Sequence, residues 1–232
     1  MSNVNIKKKP LRNNKQEAAM RPKCRKLASK YKSYQFIQDD ESYFTLSKTT
    51  LAGNNIFCSS DTNLTAENVK YSKKAKYKKK IMIWIAISPM GVSQPYYVPS
   101  GMAINKETYL KKCIQERLMP FYKKYHQHTK TVFWPDLASS HYAKVVQNYL
   151  REQKVDFVPK CDNPAATPEA RSIEDFWADL KREVYKKNWS AKNIIELKQR
   201  IKNCLRKMDV NNAKERASET LPRLNKIVRY GL

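Results

Sequence analysis

The sequence has few acidic residues, few histidines and no clustered cysteines. It contains 21 Asp and Glu and 3 His among 232 residues. Without a C-x-x-C pair or a group of histidines, neither a zinc site nor a disulfide framework is expected, and a reducing compartment fits best. His126 and His128 lie in the polar segment "YHQHTK" and are predicted to be exposed. The cysteines stand far apart, at Cys24, Cys58, Cys113, Cys161 and Cys204.

The sequence also lacks a long apolar run. Its longest, "IMIWIAI", has the length of a strand and falls short of the roughly 20 residues that a membrane span needs. The N-terminal "MSNVNIKKKPLRNN" lacks the apolar core of a signal peptide. We therefore expect a soluble intracellular protein without membrane association. The basic runs "KKKPLR" and "KKAKYKKK" are candidate nuclear localisation signals or, alternatively, phosphate-binding segments.

Positive charge is what the sequence has in excess. Lys and Arg number 46, which gives a formal net charge of +25 and a pI near 9.8. Such an excess repels itself in the folded state unless phosphates or counterions neutralise it, so nucleic acid is the leading partner. A ribosomal-type protein or a merely soluble basic surface is the alternative, because charge alone does not distinguish an enzyme from a coat protein.

The order of predicted elements divides the chain into three segments. Residues 1–33 are polar, basic and proline-containing, as in a flexible arm or a linker remnant. Residues 34–210 contain strands and then alternating helices and strands, which predicts an α/β domain with a mixed sheet flanked by helices. Residues 211–232 are expected to form a C-terminal helical tail. The predicted strands lie in "YQFIQ", "NNIFCSS", "KIMIWIAIS", "TVFW" and "VDFVP". An acidic turn and a second strand-like stretch around Tyr43 and Thr45 are predicted after the first, and a further short strand within "GVSQPYYVPSG". The segment "KIMIWIAIS" is nearly all apolar, as buried central strands are.

Four amphipathic helices are predicted within the domain from apolar residues at helical spacing. The third has the clearest start signal, with Thr167 as N-cap, Pro168 at the first helical position and an apolar stripe from Ile173 to Val184. Pro120 is expected to bend or break the first helix late. The fourth helix covers about 190–208, and the remaining predicted N-caps are Asn105 for the first helix and Ser139 or Ser140 for the second.

Three acidic residues stand near strand ends or at the edge of an apolar helix face. Asp40 follows the first strand within "DDE", Asp136 ends "TVFW" after a proline, and Glu174 borders the stripe of the third helix. Phosphoryl transfer on nucleic acid gives a reason for three carboxylates, because two divalent ions about 3.5–4 Å apart can activate the attacking oxygen and stabilise the leaving one. In-line displacement also needs ligands in fixed positions, which strand and helix ends provide.

Each of these acids has an alternative interpretation. The run "DDE" that contains Asp40 is also typical of a turn or a solvated acidic cluster. Asp136 is also placed to cap the following helix, since an acid near a helix start interacts favourably with the helix dipole. Glu174 has a rival in the neighbouring Asp175, which is expected to face solvent.

The motifs that contain these acids resemble the catalytic domain of Tc/mariner-type transposases, which belong to the retroviral-integrase superfamily and have an RNase H-like fold. "DDESYFTL" resembles the first-acid motif of that family, "IMIWIAIS" its central strand, "FWPDLASSHYA" its second-acid motif and "PEARSIEDFWADLK" the block with the third acid. The resemblance extends from about Arg21 to about Met208. It implies that Asp40, Asp136 and Glu174 are the catalytic, metal-binding acids, with the 37 residues 137–173 between the last two, a mariner-like spacing.

The resemblance also implies an activity, a cofactor and partners. It implies metal-dependent DNA cleavage and strand transfer, the chemistry of cut-and-paste transposition and DNA integration, with two Mg²⁺ ions or Mn²⁺ as a substitute. Asp40 would bridge both ions, while Asp136 and Glu174 would each complete one site. Transposon ends and target DNA would be the substrates, a homodimer the assembly and the nucleus the place of action. His141 would contact DNA phosphate or lie on a helix surface.

The sequence departs from the family in two respects. Relatives carry a pair of helix-turn-helix domains ahead of the catalytic domain, for which there is no room before Tyr34, and Ser172 stands where relatives usually have proline. Two other functions therefore stay open. One is a catalytically inactive or domesticated DNA-binding domain derived from a transposase, and the other is an RNase H-type nuclease that acts on RNA–DNA hybrids.

Overall fold

The computed structural model describes residues 12–47, 61, 63–65, 79–208 and 210–231. The first 11 residues of the predicted arm and the predicted strand "NNIFCSS" lie outside this range. Within it, a five-stranded sheet contains β1 (Gln35–Thr45), β2 (Lys80–Ser88), β3 (Gly91–Val92), β4 (Tyr96–Tyr97) and β5 (Thr131–Trp134).

β1 lies between β2 and β5 in the sheet. It pairs with β2 in antiparallel fashion and with β5 in parallel fashion, and β3 and β4 pair with β2. The predicted strand "VDFVP" is reduced to a single parallel bridge between Phe133 and Phe157. The sheet is therefore mixed, as predicted.

β1 runs without interruption through the acidic run. The predicted acidic turn after "YQFIQ" is therefore wrong, because Asp39, Asp40 and Glu41 are strand residues paired with β2. Successive side chains of a strand point to opposite faces, so Asp40 points to one face of the sheet and its two neighbours to the other. Asp39 is fully buried, which also excludes a solvated acidic cluster.

The helices cover both faces of the sheet. α1 precedes the sheet, and a continuous helical segment with a central π-helix connects β4 to β5. Short 3-10 turns occupy Pro168–Ala170 and Lys186–Asn188. The helices in chain order are α1 (Asn14–Lys30), α2 (Lys106–Thr108), the π-helix (Tyr109–Leu118), α3 (Met119–Tyr125), α4 (Lys144–Glu152), α5 (Ser172–Val184), α6 (Ile194–Lys207), α7 (Val210–Ser218) and α8 (Thr220–Tyr230).

Apolar layers pack on both faces of the sheet. On one face, Phe44 and the isoleucines of β2 pack against α5 and α6, and the predicted stripe of α5 from Ile173 to Val184 is buried. On the other face, Ile37 and Trp84 pack against the π-helix and α4. Because β2 has apolar neighbours on both sides, its continuous apolar sequence follows from its position in the fold.

Residues 14–30 form a helix packed into the fold and not a flexible arm. A capping box at Asn13 starts α1. Cys24 and Leu27 are fully buried in a cluster shared with α8. Arg21 donates to two carbonyls in the last turns of α8. The predicted arm and the predicted C-terminal tail, 211–232, therefore share a core with residues 34–210.

The first predicted helix starts where expected but does not break. Asn105 is an N-cap, since its side chain accepts from the Thr108 N–H at 2.8 Å. Pro120 does not interrupt the helix, because it lies in the first turn of α3, where the geometry changes from π to α. A proline is tolerated in a first turn because its missing N–H is not needed there.

Two other predicted helix starts are wrong. Thr167 and Pro168 begin only a 3-10 turn, in which Thr167 makes no side-chain cap, and α5 begins separately at Ser172. Neither Ser139 nor Ser140 caps α4, which begins at Lys144. In both places the chain first forms a turn, and the helix begins only after it.

The histidine prediction is half right. His128 is exposed, but His126 is fully buried, with its ring nitrogens 2.8 Å from Ser88 Oγ and 3.2 Å from Thr131 Oγ1. Burial lowers the pKa of His126 to about 4, so this ring is neutral. The burial of His126 depends on tertiary contacts, which the polar segment around it does not predict.

Composition also predicted free thiols and the lack of a membrane span. Four cysteines are described, and all are free: Cys24, Cys113, Cys161 and Cys204. In the described part of the chain, no helix combines the length and apolar character required to cross a bilayer.

Candidate metal centre

Asp40 and Asp136 meet where β5 ends beside β1. The last parallel match between the strands is Gln38 with Trp134, and the same register continued would bring residue 136 opposite Asp40. Pro135 has no N–H to donate to a further rung of the ladder. The chain leaves the sheet there, and two of the three predicted acids become neighbours.

A third carboxylate, from Glu41, joins these two. Asp40, Glu41 and Asp136 each offer an oxygen within 4.8 Å of the others. Glu41 was not among the predicted site residues. It follows Asp40 on the part of β1 that extends beyond the end of β5, so among the described residues both acids lie past the last β1–β5 pair.

The indole of Trp177 orients Asp40. Its Nε1–H donates to Asp40 Oδ2 at 3.0 Å, from the buried stripe of α5. Burial raises the pKa of Asp40 to about 7, the Arg171 guanidinium acts against this rise, and Glu174 adds to it. A cation beside Asp40 would favour its ionised form, because an opposite charge offsets the cost of desolvation.

Asp136 is held by the loop that it starts. Its Oδ1 accepts from the Ala138 N–H at 2.8 Å, whereas α4 begins only at Lys144, so Asp136 does not cap a helix. His141 Nδ1 lies 2.5 Å from the same oxygen as an ion pair, although its N–H is not aligned for a hydrogen bond. Burial alone would raise the pKa of Asp136, but His141 holds it below its usual value.

His141 lies between two of the clustered carboxylates. Besides its contact with Asp136, its Nε2 is 3.3 Å from Glu41 Oε1, and the ring stacks on Tyr109 with centroids 3.9 Å apart. Desolvation opposes its positive charge, but Asp136 and Glu41 outweigh that cost and raise the pKa of His141 to about 10. The residue is only 2% exposed, so neither predicted role, phosphate contact or helix surface, applies.

Asp39 supports the ring on which His141 stacks. The Tyr109 hydroxyl and the Trp84 indole donate to Asp39 Oδ2 at 2.5 and 2.9 Å, while Oδ1 has no hydrogen-bond partner among the described residues. Burial raises the pKa of Asp39 to about 6, with His141 acting against the rise. A chain of contacts therefore runs from Trp84 of β2 through Asp39 and Tyr109 to His141.

Glu174 lies near this group but outside it. It is exposed in the first turn of α5 and is not among the carboxylates within 4.8 Å of one another. Desolvation raises the pKa of Glu174, with Asp136 among the charges that add to the rise, and Glu174 in turn raises that of Asp40. The rival Asp175 instead pairs with Arg223 at 2.5 Å. The assignment of Glu174 as third ligand stays a prediction.

Arg171 connects the elements that carry the acids. One terminal nitrogen donates to the Asp39 carbonyl at 2.6 Å and the other to the Trp134 carbonyl at 3.3 Å. Arg171 itself directly precedes α5 and is largely buried. It therefore joins β1, which carries Asp40, to the end of β5 and to the start of the helix with Glu174.

The clustered groups fit a divalent cation. Mg²⁺ and Mn²⁺ prefer carboxylate oxygens. The described contacts of Asp40 fall on Oδ2 and those of Asp136 on Oδ1, which leaves the second oxygen of each acid to face an ion. Asp40, Glu41 and Asp136, with one oxygen each within 4.8 Å of the others, form a compact set of hard donors.

A comparison of the sequence with known proteins finds a transposase. No protein-family model matches the chain. The Tc3 transposable element transposase of Caenorhabditis elegans is 25% identical over 167 residues, which cover 72% of this chain and 49% of that protein. The chain thus spans about half the length of this curated relative.

Solved structures of Mos1 transposase share the fold. The catalytic domain of Mos1 mariner transposase matches with a TM-score of 0.70 at 16% identity, over 95% of both chains. The chain has the fold of a mariner transposase catalytic domain. A Mos1 paired-end complex with the left transposon end gives 0.78 at 17% identity, over 98% of this chain and 66% of that one. A Mos1 paired-end complex with Mn gives 0.77 at 17%, over 99% and 68%.

These matches bear on two predictions from the sequence. The RNase H-like fold, with its mixed sheet and flanking helices, is confirmed. The resemblance to Tc/mariner-type transposases is confirmed as well. At these levels of identity the solved structures show the fold, and the activity of this chain is a separate question.

The structure places three further residues at this site, and the sequence revealed the role of none of them. Glu41 and His141 contact each other, and Arg171 connects the strands beside them. Each stands within five positions of a predicted acid, Asp40, Asp136 or Glu174. The sequence offered one signal for them: each is a polar or charged residue close to a predicted ligand.

Proposed function

We propose that this chain is the catalytic domain of a DNA transposase, which cleaves DNA and transfers strands with the help of divalent metal ions. The observation that carries the proposal is the meeting of Asp40 and Asp136 where the β1–β5 pairing ends, with carboxylate oxygens within 4.8 Å. The likeness to Tc3 transposase and the fold shared with the Mos1 catalytic domain support the same reaction class.

Three acids would hold the metal. Asp40, Asp136 and Glu174 would together hold two Mg²⁺ ions, with Mn²⁺ as a substitute. Such ions, when bound, activate the attacking oxygen and stabilise the leaving oxygen of a phosphodiester. The residues of the chain itself keep these ligands in place: Trp177 orients Asp40, and the turn at Ala138 orients Asp136. The solved Mos1 complex with Mn supports a divalent ion.

DNA is the proposed substrate, both as transposon ends and as target. The net charge of +25 supports binding to a polyanion, and the Mos1 complex with a transposon end supports DNA as the ligand of this fold. We also propose action in the nucleus and assembly as a homodimer. Sedimentation velocity of the chain with and without DNA tests the dimer, and imaging of a tagged chain tests the nuclear location.

Plasmid cleavage tests the proposed activity. Supercoiled DNA incubated with the protein and Mn²⁺ should be nicked, and Asp136→Asn should abolish the nicking because a metal ligand is lost. Asp175→Asn is the matched control, since this acid directly follows Glu174 but pairs with Arg223 and is not among the clustered carboxylates. Nicking that survives in Asp136→Asn would overturn the assignment.

DNA binding without catalysis is the second candidate function. The position of Glu174 outside the carboxylate group favours it, because a two-ion site needs a third ligand close by. For this function we expect DNA binding that weakens steeply with salt and no nicking of DNA in Mg²⁺ or Mn²⁺. An RNase H-type nuclease would instead cleave an RNA–DNA hybrid in preference to duplex DNA.

A further inference from the structure

We infer that His141 is a positioning residue that holds Asp136 and Glu41 at a fixed spacing beside the proposed metal site. The inference rests on the proposed function, in which Asp136 is a metal ligand. It starts from one geometric fact: the two ring nitrogens contact two different carboxylates, Nδ1 at 2.5 Å from Asp136 Oδ1 and Nε2 at 3.3 Å from Glu41 Oε1. One side chain thereby links the loop after β5 to β1.

Asp136 needs such a support because it lies outside regular structure. The chain leaves β5 at Trp134 and does not enter α4 until Lys144. The turn contact from the Ala138 N–H fixes one oxygen, and His141 approaches that same oxygen. Two contacts on Oδ1 define the orientation of the carboxylate and leave Oδ2 directed elsewhere, as a ligand requires.

His141 is itself immobilised from the sheet side. Its ring stacks on Tyr109 with an interplanar angle of 17°. The Tyr109 hydroxyl donates to Asp39, which also accepts from the Trp84 indole, so the stacking partner is tied to β1 and β2. Partners behind a metal ligand of this kind set its orientation, and losing one typically weakens metal binding about 10- to 100-fold.

A buried histidine can also serve only to fill space, and His126 provides the comparison. It is equally buried, but its ring nitrogens contact the hydroxyls of Ser88 and Thr131 and no acid. Replacing His126 therefore tests what the loss of a buried ring does by itself. A purely structural role for His141 would give the same result as replacement of His126.

Two near-isosteric variants separate the contacts of His141. The amide nitrogen of asparagine occupies roughly the place of Nδ1, and that of glutamine roughly the place of Nε2. His141→Asn therefore keeps a donor toward Asp136, whereas His141→Gln keeps one only toward Glu41. Both variants remove the same ring and the same charge, so they differ in which of the two carboxylates the remaining amide can reach.

Calorimetric titration with Mn²⁺ gives the readout. We expect His141→Asn to bind Mn²⁺ within about threefold of the unaltered chain and His141→Gln to bind about 10-fold more weakly. His126→Asn should leave the affinity unchanged even where it lowers Tm. Equal affinities for the two His141 variants, or an affinity that merely follows Tm in all three variants, would overturn the inference.

A second measurement, without metal, separates this inference from the proposed function. Thermal unfolding in EDTA of His141→Gln, Asp136→Asn and the double variant forms a cycle. Side chains in contact give Tm decreases that do not add, whereas independent ones do. If the unaltered chain binds no Mn²⁺, the proposed function fails, and the cycle still tests the contact. Additive decreases would overturn the positioning role.

Discussion

Arg171 donates to the backbone carbonyl of Asp39 at 2.6 Å, although the two residues are 132 positions apart. The bond joins the residue ahead of α5 to the strand that carries Asp40. A second bond from the same guanidinium, to the Trp134 carbonyl, joins it to β5. A planar guanidinium can serve two acceptors at once with little further loss of side-chain freedom, which an ammonium group cannot do in the same way.

Arg171→Lys should therefore destabilise the fold. One of the two bonds is lost, and we expect the free energy of unfolding to fall by about 2 kcal/mol, the range for a hydrogen bond from a charged donor. Urea unfolding measures the change. Arg151→Lys on the exposed side of α4 is the control, with an expected change below about 0.5 kcal/mol. Similar losses in both variants would show that the two carbonyl contacts contribute little.

Trp177→Phe should weaken the metal site without unfolding the domain. The ring packing against Phe44 is largely kept, but Asp40 loses the indole N–H that stabilises its ionised form. The pKa of Asp40 should rise further above its usual value, so half-maximal Mn²⁺ binding should move to higher pH. Trp189→Phe removes an indole that packs against Arg200 and should leave this pH unchanged. A shift shared by both variants would contradict the prediction.

Metal binding should release protons near neutral pH. Burial raises the pKa of Asp40 to about 7, so part of the metal-free protein carries a proton that a cation must displace. Mn²⁺ affinity should therefore increase with pH and level off above about 7. Calorimetry in buffers of different ionisation enthalpy counts the protons, and Asp40→Asn should abolish the linked release. A proton count of zero for the unaltered chain would exclude Asp40 as the linked group.

The metal-free protein should lose stability as the pH rises toward 10. The pKa of His141 is raised from 6.5 to about 10 in the folded state, because Asp136 and Glu41 outweigh the desolvation that burial causes. The stabilisation is complete below about pH 6.5, where the unfolded chain also holds the proton, and it is lost as the folded histidine deprotonates. Tm measured in EDTA should fall between pH 6 and 10, and the Tm of His141→Asn should fall less steeply over the same range.

α1 should prove essential to the domain. Leu27 is fully buried in the cluster shared with α8, so Leu27→Ala should lower the free energy of unfolding by about 2–5 kcal/mol. Arg25→Ala on the exposed side of the same helix should change it by less than about 0.5 kcal/mol. Denaturant unfolding distinguishes these values. A negligible effect of Leu27→Ala would restore the interpretation of this segment as an arm.

The sequence was most informative where periodicity and burial coincide. The apolar run predicted β2 as a buried strand, because side chains pack on both of its faces. The apolar stripe predicted the helix α5, because one face of α5 packs against the sheet. α1 was missed because its polar and basic residues outnumber the few that pack, such as Cys24 and Leu27. The helix start predicted at Thr167 and Pro168 was wrong because the same residue types can also begin a single 3-10 turn.

At the site, the sequence identified residues through motifs but not through their partners. Asp136 could be predicted because it follows the end of a strand, and both Asp40 and Asp136 because a family-like order of motifs locates them. The role of His141 depends on which side chains surround it, and those come from β1, the π-helix and the loop after β5. The parallel register of β1 and β5 brings the loop after β5 beside β1, and packing on the sheet adds the π-helix.

The packing of α1 on α8 also has a consequence during synthesis of the chain. Leu27 and Ile227 belong to one apolar cluster, although nearly the whole described chain lies between them. Contacts between such distant segments form late and slow the folding of a domain. On the ribosome, the apolar face of α1 emerges before α8 and stays uncovered until α8 has been translated. The nascent protein is therefore exposed to aggregation, and to capture by chaperones, until α8 appears.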